Sequence, residues 1–190
     1  IRQPSRQSTW GLSSLIFFLA NVRHGVGPLL AAYLHSDLKW NPSKIGLAFA
    51  MTDISSVLSL VPAGLIVDAT HYKRTLIAVS CVCIMAGCAL ILGWPTFAMV
   101  MLAQFMMGIA TAVISPSLGA ITIGFFGRLN YPKRTSTNEM IAHAGKVVTA
   151  LAVGVVSYLL GNQWIFYLVI LCALICLISL YFIRPTEISY

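Results

Sequence analysis

Eight polar or ionisable side chains lie inside stretches that are otherwise apolar: Asn21, Arg23, His24, Asp53, Gln104, Glu139, His143 and Lys146. An ionisable group is costly in hydrocarbon, so groups placed this way mark solute pathways, ion relays or paired charges. Arg23, flanked by Asn21 and His24, has the chemistry to bind anionic or polar substrate groups. Asp53 carries the opposite charge and can balance Arg23 when no substrate is present. Glu139, His143 and Lys146 fall at i, i+4 and i+7, one face of a helix. In that stripe His143 is a candidate proton site, because histidine is the usual switch near neutral pH. Simpler roles compete with these. Arg23 and Asp53 make an equally good structural salt bridge, Glu139 suits a helix N-terminus, and Lys146 can snorkel toward water.

These residues need long apolar elements to position them. The chain is 58% hydrophobic and 9% charged, with a mean hydropathy of +0.87, which does not suit a soluble domain with a polar surface. Its runs predict an all-α, multi-pass membrane protein with spans at about 10–34, 43–67, 74–94, 96–126, 138–160 and 164–183. Residues 1–9 form a basic tail, and 185–190 begin a further loop. Ser43, just after Pro42, is a candidate cap for the second helix. Residues 127–137 read as a basic loop, and Gly161-Asn162-Gln163 as a tight turn. With a rise of about 1.5 Å per residue, Arg23 and Asp53 each lie roughly 15 Å from the outer ends of their helices. They can therefore be level, with Gln104 at a similar depth.

Eight basic residues fall on one side of this arrangement: Arg2, Arg6, Lys73, Arg74, Arg128, Lys133, Arg134 and Arg184. Lys39 and Lys44 fall on the other. The bias places both termini in the cytoplasm and the chain in the cytoplasmic membrane. The net charge of +7 is spread over short loops, which argues against a nucleic-acid partner. Cys81, Cys83, Cys88, Cys172 and Cys176 all lie in apolar runs, as small hydrophobes rather than a disulfide or metal set. No cofactor is expected. The third and sixth spans have no acid, base or histidine in their middles. They are therefore expected to face lipid, leaving the first, second, fourth and fifth to face one another or water.

Gly64-x-x-x-Asp68 followed by Lys73-Arg74 resembles the loop between the second and third helices of major facilitator superfamily transporters. Here Ala69 stands in place of that pattern's first arginine. Gln104-Phe105-Met106-Met107-Gly108 is similar to the superfamily's fourth-helix Arg-Phe-x-x-Gly pattern, with Gln104 where Arg is common. Asn21–Pro28 and Asn138-Glu139-x-x-x-His143-Ala144-Gly145 resemble a bacterial subgroup of largely undefined substrate. The resemblance implies a six-helix half built as a 3+3 repeat, and Gly27–Ala32 and Ser115–Ala120 are faintly alike in that sense. It implies that spans one and four line a cavity, two and five meet the other half, and three and six stand outside. It also implies that Gly64, Asp68, Lys73 and Arg74 govern conformational switching.

The expected function is secondary active transport of a small polar or anionic solute by alternating access, ion (proton) coupled, and not an enzymatic reaction. Expected partners are the solute, membrane lipid and a second six-helix half, from the same chain if this is a fragment and otherwise from a homodimer. The Gly-Pro signature of drug antiporters is absent from the fifth span. The alternatives are an assembly or scaffold protein, or a channel-like homodimer. The one Gly-x-Ser, Gly11-Leu12-Ser13, opens the first span with no histidine after His143, which does not suit a rhomboid protease. The one Asn-Pro, Asn41-Pro42, lies in an outer loop, unlike the paired turns of a water channel.

Overall fold

The computed structural model describes residues 6–24 and 27–183, except the side chains of residues 23, 24 and 27–29. In order the helices are α1 (Arg6–His24), α2 (Gly27–Ser36), α3 (Pro42–Ala69), α4 (Lys73–Gly93), α5 (Phe97–Leu160) and α6 (Trp164–Phe182). No strand occurs among the described residues. The protein is an all-α multi-pass membrane protein, and α3, α4, α5 and α6 are each long and apolar enough to cross a bilayer.

Three expectations need correcting. The first concerns the tail; the first span itself is described as α1 and α2, and residues 25 and 26 between them lie outside the described set. Helix begins earlier than expected, at Arg6, so that only residues 1–5 of the tail lie outside the described set, as do Arg184 and residues 185–190. Second, Asn41 rather than Ser43 caps α3. Its side chain accepts from the Ser43 backbone N–H at 3.3 Å, with Pro42 in the first helical turn, where a missing N–H is no loss.

The third correction is the largest. Helix α5, a run of 64 residues, is two helical arms that meet at Gly127, where the fourth span is expected to end, and the expected loop is helical beyond that residue. Drawn straight, that run would extend about 96 Å, three times a bilayer core of about 30 Å. It bends instead at Gly127, whose φ of 72° and ψ of 165° interrupt the helical backbone. Only glycine adopts that conformation without strain. The chain turns back sharply there, because Asn138 Nδ2 on the second arm reaches Thr122 Oγ1 on the first at 3.3 Å. One residue does the work of a loop, and 128–137 continue as helix.

The bundle is built around α5, which packs against α1, α3 and α4, while α6 packs against α1 and α4. Small residues set the closest approaches, as expected where lipid removes any hydrophobic preference for protein over solvent. A Cβ on Gly108 would collide with Ser55 Oγ and the Thr52 carbonyl of α3. One on Gly145 would collide with the Phe17 carbonyl of α1. The core runs along one stripe of α4 (Ile77, Cys81, Ile84, Cys88, Ile91) and one of α6 (Phe166, Val169, Ala173, Cys176, Leu180), all buried. Beside it the Tyr33 and Phe166 rings meet edge to face, 5.1 Å apart. All five cysteines are free thiols.

Candidate functional site

A small polar cavity of about 70 Å³ lies between α1 and the two arms of α5. Ile16, Leu19 and Ala20 form its α1 wall, with Asn138, Glu139 and Lys146 from the second arm. Its volume suits about two waters. Asn138 is 7% exposed. Its amide nitrogen is bound to Thr122, which itself donates to the Leu118 carbonyl at 2.8 Å. The Asn138 Oδ1 is buried with no protein hydrogen-bond partner. A buried acceptor left this way costs about 1–3 kcal/mol, which a bound water or an incoming proton donor removes. The cavity therefore brings together a fixed buried acceptor, the half-buried ammonium of Lys146 and the exposed carboxylate of Glu139. Glu139 and Lys146 were legible in the sequence; Asn138 and Thr122 were not, because an amide and a hydroxyl are common in helices and gain meaning here only from being placed together.

The remaining expected residues are dispersed. His143 is exposed and does not line this cavity, although it lies on the same stripe as Glu139 and Lys146. Asn21 is buried and turns back on its own helix, donating to the Phe17 carbonyl at 2.9 Å. Gln104 is buried, one helical turn before Gly108 and so toward the α3 contact. Asp53 is exposed, on the side of α3 away from buried Ser55. Arg23 and His24 belong to the last turn of α1, but their side chains lie outside the described residues.

The charged hairpin between α3 and α4 forms a second cluster. Gly64 and exposed Asp68 lie in the last turns of α3, and Lys73 and Arg74 open α4. Arg74 reaches across to α6, its Nη2 donating to the Leu180 carbonyl. That carbonyl also accepts from the Ile183 backbone N–H at 3.3 Å, and a basic side chain is a natural second donor at the end of a helix. Arg74 thus ties this hairpin to the end of the last helix. On the same side of the bundle Arg134 donates to Ser13 Oγ at 2.9 Å and lies over the Phe126 ring, 4.8 Å from its centroid. That contact fastens the second arm of α5 to both α1 and the first arm.

Comparison with known proteins gives a consistent result. The family model of the Major Facilitator Superfamily matches residues 12–189. Two curated relatives, each named as an uncharacterized MFS-type transporter, come from Mycobacterium tuberculosis strains CDC 1551 / Oshkosh and ATCC 25618 / H37Rv. Each is 33% identical over 182 residues, covering 94% of this chain and 43% of the relative. The chain therefore spans less than half the length of the curated relatives it matches.

Proposed function

We infer, since the chain belongs to the major facilitator superfamily, that it supplies one six-helix half of a secondary active transporter for a small polar or anionic solute. Transport proceeds by alternating access across the cytoplasmic membrane and is coupled to protons, with both termini on the cytoplasmic side. The observation that carries this reading is the polar cavity lined by Asn138, Glu139 and Lys146 between α1 and the two arms of α5. In this reading Lys146 and Glu139 exchange charge as the cavity wets and dries, with His143 handing protons from the exposed side of the same stripe. Arg23, His24, Asn21 and Gln104 meet the solute, and Asp53 balances Arg23 when the solute is absent. Gly64, Asp68, Lys73 and Arg74 form the switch, supported by the tie from Arg74 to α6.

The second half packs on the surfaces this chain leaves bare, those of α3 and the second arm of α5. Leu58, Val61, Leu151 and Leu159 are each about 70% exposed there. It comes from the same polypeptide if that continues, and otherwise from a second copy.

The test is solute-driven proton movement in dye-loaded proteoliposomes, run over a panel of small anionic and polar solutes. Wild-type protein is expected to move protons with at least one solute. Lys146→Gln is expected to lower the rate at least tenfold while keeping normal expression. Absence of proton movement across the panel, with uptake of a labelled solute intact, refutes the coupling. Equal rates for wild type and Lys146→Gln refute the role of the cavity. Single cysteines at Lys39 and Lys133 test the orientation, since they are expected to label from opposite sides of the membrane.

A further inference from the structure

The side-chain amide of Asn138 can be oriented in only one way. Thr122 donates its hydroxyl proton to the Leu118 carbonyl at 2.8 Å, so toward Asn138 its oxygen can only accept. The Asn138 amide nitrogen supplies that bond at 3.3 Å. What remains is Asn138 Oδ1, a buried acceptor with no hydrogen-bond partner, on a side chain that lines the polar cavity. The space around it is kept open by small residues, since Ala20 of α1 and Ala142 of the second arm of α5 both line it. It cannot close by moving the helices together, because Gly145 already stands against the Phe17 carbonyl of α1. An occupant must donate a hydrogen bond to Oδ1 and fit within about 70 Å³. It must also be neutral, because the Lys146 ammonium already balances the Glu139 carboxylate in this space. Water meets all three conditions; a cation fails the last, and an anion fails the first and the last.

We propose that Asn138 Oδ1 anchors a pair of water molecules in this cavity, and that these waters carry a proton between Lys146 and Glu139. Waters held this way are part of a protein's structure where buried polar groups need partners. Glu139 and Lys146 are seven residues apart on one helical face, about 10 Å along the axis, a gap that two waters span. In the relay the Lys146 ammonium gives a proton to the nearer water, which passes one of its own to the second. The second water protonates the Glu139 carboxylate. Lys146 ends as a neutral amine, Glu139 as a carboxylic acid, and both waters are unchanged. Asn138 takes no proton itself. As a positioning residue it accepts one O–H of a water and leaves that water's lone pairs and other O–H for the transfer. The water site stands on the cavity alone, whereas the relay rests on the transport reading.

The test is X-ray hydroxyl-radical footprinting of the protein in lipid nanodiscs, with no solute present, read residue by residue by tandem mass spectrometry. Radicals formed from a bound water oxidise the side chains it touches, however deeply these are buried. Leu19 and Ile16 line the cavity at 1% and 2% exposure, whereas Leu12 and Leu15, equally buried on the same helix, do not line it. Oxidation at Leu19 and Ile16 is expected to run severalfold faster than at Leu12 and Leu15. Ala142→Leu fills the space without changing a polar group, and Asn138→Leu removes the anchor. Each is expected to bring Leu19 down to the rate of Leu15. Equal rates at Leu19 and Leu15 in the wild type overturn the water site, as does a Leu19 rate that neither variant changes. In the proteoliposome assay Asn138→Leu is expected to slow proton movement at least fivefold, and an unchanged rate overturns the relay. Fast oxidation at Leu19 in wild-type protein that moves no protons with any solute overturns the relay together with the coupling, and upholds the water site.

Discussion

Helices α3 and α6 are both long and apolar enough to cross a bilayer, yet they differ in a way that reverses a natural expectation. Helix α6 has no acidic, basic or histidine side chain, and 44% of its most apolar stretch is buried. Helix α3 carries Asp53 and Asp68 and the exposed apolar residues Val57, Leu58 and Val61, and only 17% of its stretch is buried. Charge pattern alone predicts the opposite, with uncharged helices turned to lipid and charged ones turned inward. The difference arises because apolar side chains gain nothing by leaving lipid for another helix. Close packing requires small side chains that let backbones approach. Helix α3 packs on α5 along one face, where Ile45, Ala48, Ser55, Ala63 and Val67 are buried and Ser55 and Thr52 come close to Gly108, and its other faces are bare. Helix α6 lies against both α1 and α4 along its length.

The sharpest way to break this comparison is to wedge apart α3 and α5 where a glycine lets their backbones meet. Gly108→Leu inserts a side chain where even a Cβ collides with Ser55 and Thr52. It should cost about 3 kcal/mol, read as loss of folded protein and an early thermal transition in detergent. Gly64→Ala is the matched control, because nothing lies within 4 Å of a Cβ there; its transition should stay at the wild-type temperature. Equal behaviour of the two variants would mean that α3 is not held at Gly108.

A smaller effect is expected at the hairpin inside α5. Thr122→Val leaves the Asn138 amide nitrogen buried without its acceptor, which should cost about 1–3 kcal/mol. A thermal shift with unchanged helix content is the expected result. No shift would show that the bend at Gly127 holds without this bond.

Smaller again is the tie between α4 and α6. Arg74→Gln removes one of two donors to the Leu180 carbonyl, leaving the Ile183 N–H, a loss of about 1 kcal/mol. Hydrogen exchange should quicken in the last turn of α6 and not in its middle. Uniform exchange along α6 would contradict a local cap.

The smallest stability change, within about 0.5 kcal/mol, is expected for Leu58→Cys on the bare side of α3. The same variant sharpens the comparison. Oxidative cross-linking between copies in membranes would support a homodimer, and a wholly monomeric product would support a second half supplied by a longer polypeptide.

Local features of the molecule were readable from residues alone. The third span, expected at 74–94, is Lys73–Gly93, and the sixth, expected at 164–183, is Trp164–Phe182. Both are bounded by abrupt changes between apolar runs and polar turns, and a helix of bilayer length follows directly from such a run. Membership of the all-α membrane class follows from the same runs. The positions of Glu139 and Lys146 on one helical face followed from their spacing, although their sharing a cavity with Asn138 did not.

What the tertiary structure decided involves residues that the chain separates. Arg74 and Leu180 lie 106 positions apart, Arg134 and Ser13 lie 121 apart, and Asn138 and Thr122 lie on opposite arms of a bend. The bend itself was hidden in the sequence. Residues 127–137 have the basic, proline-containing composition of a loop, but a single glycine at positive φ reverses the chain and leaves the rest free to be helical. Hydropathy reports how deep a residue sits in the bilayer. Which face of a helix is covered depends on where another backbone can come close, and that is a property of two helices together.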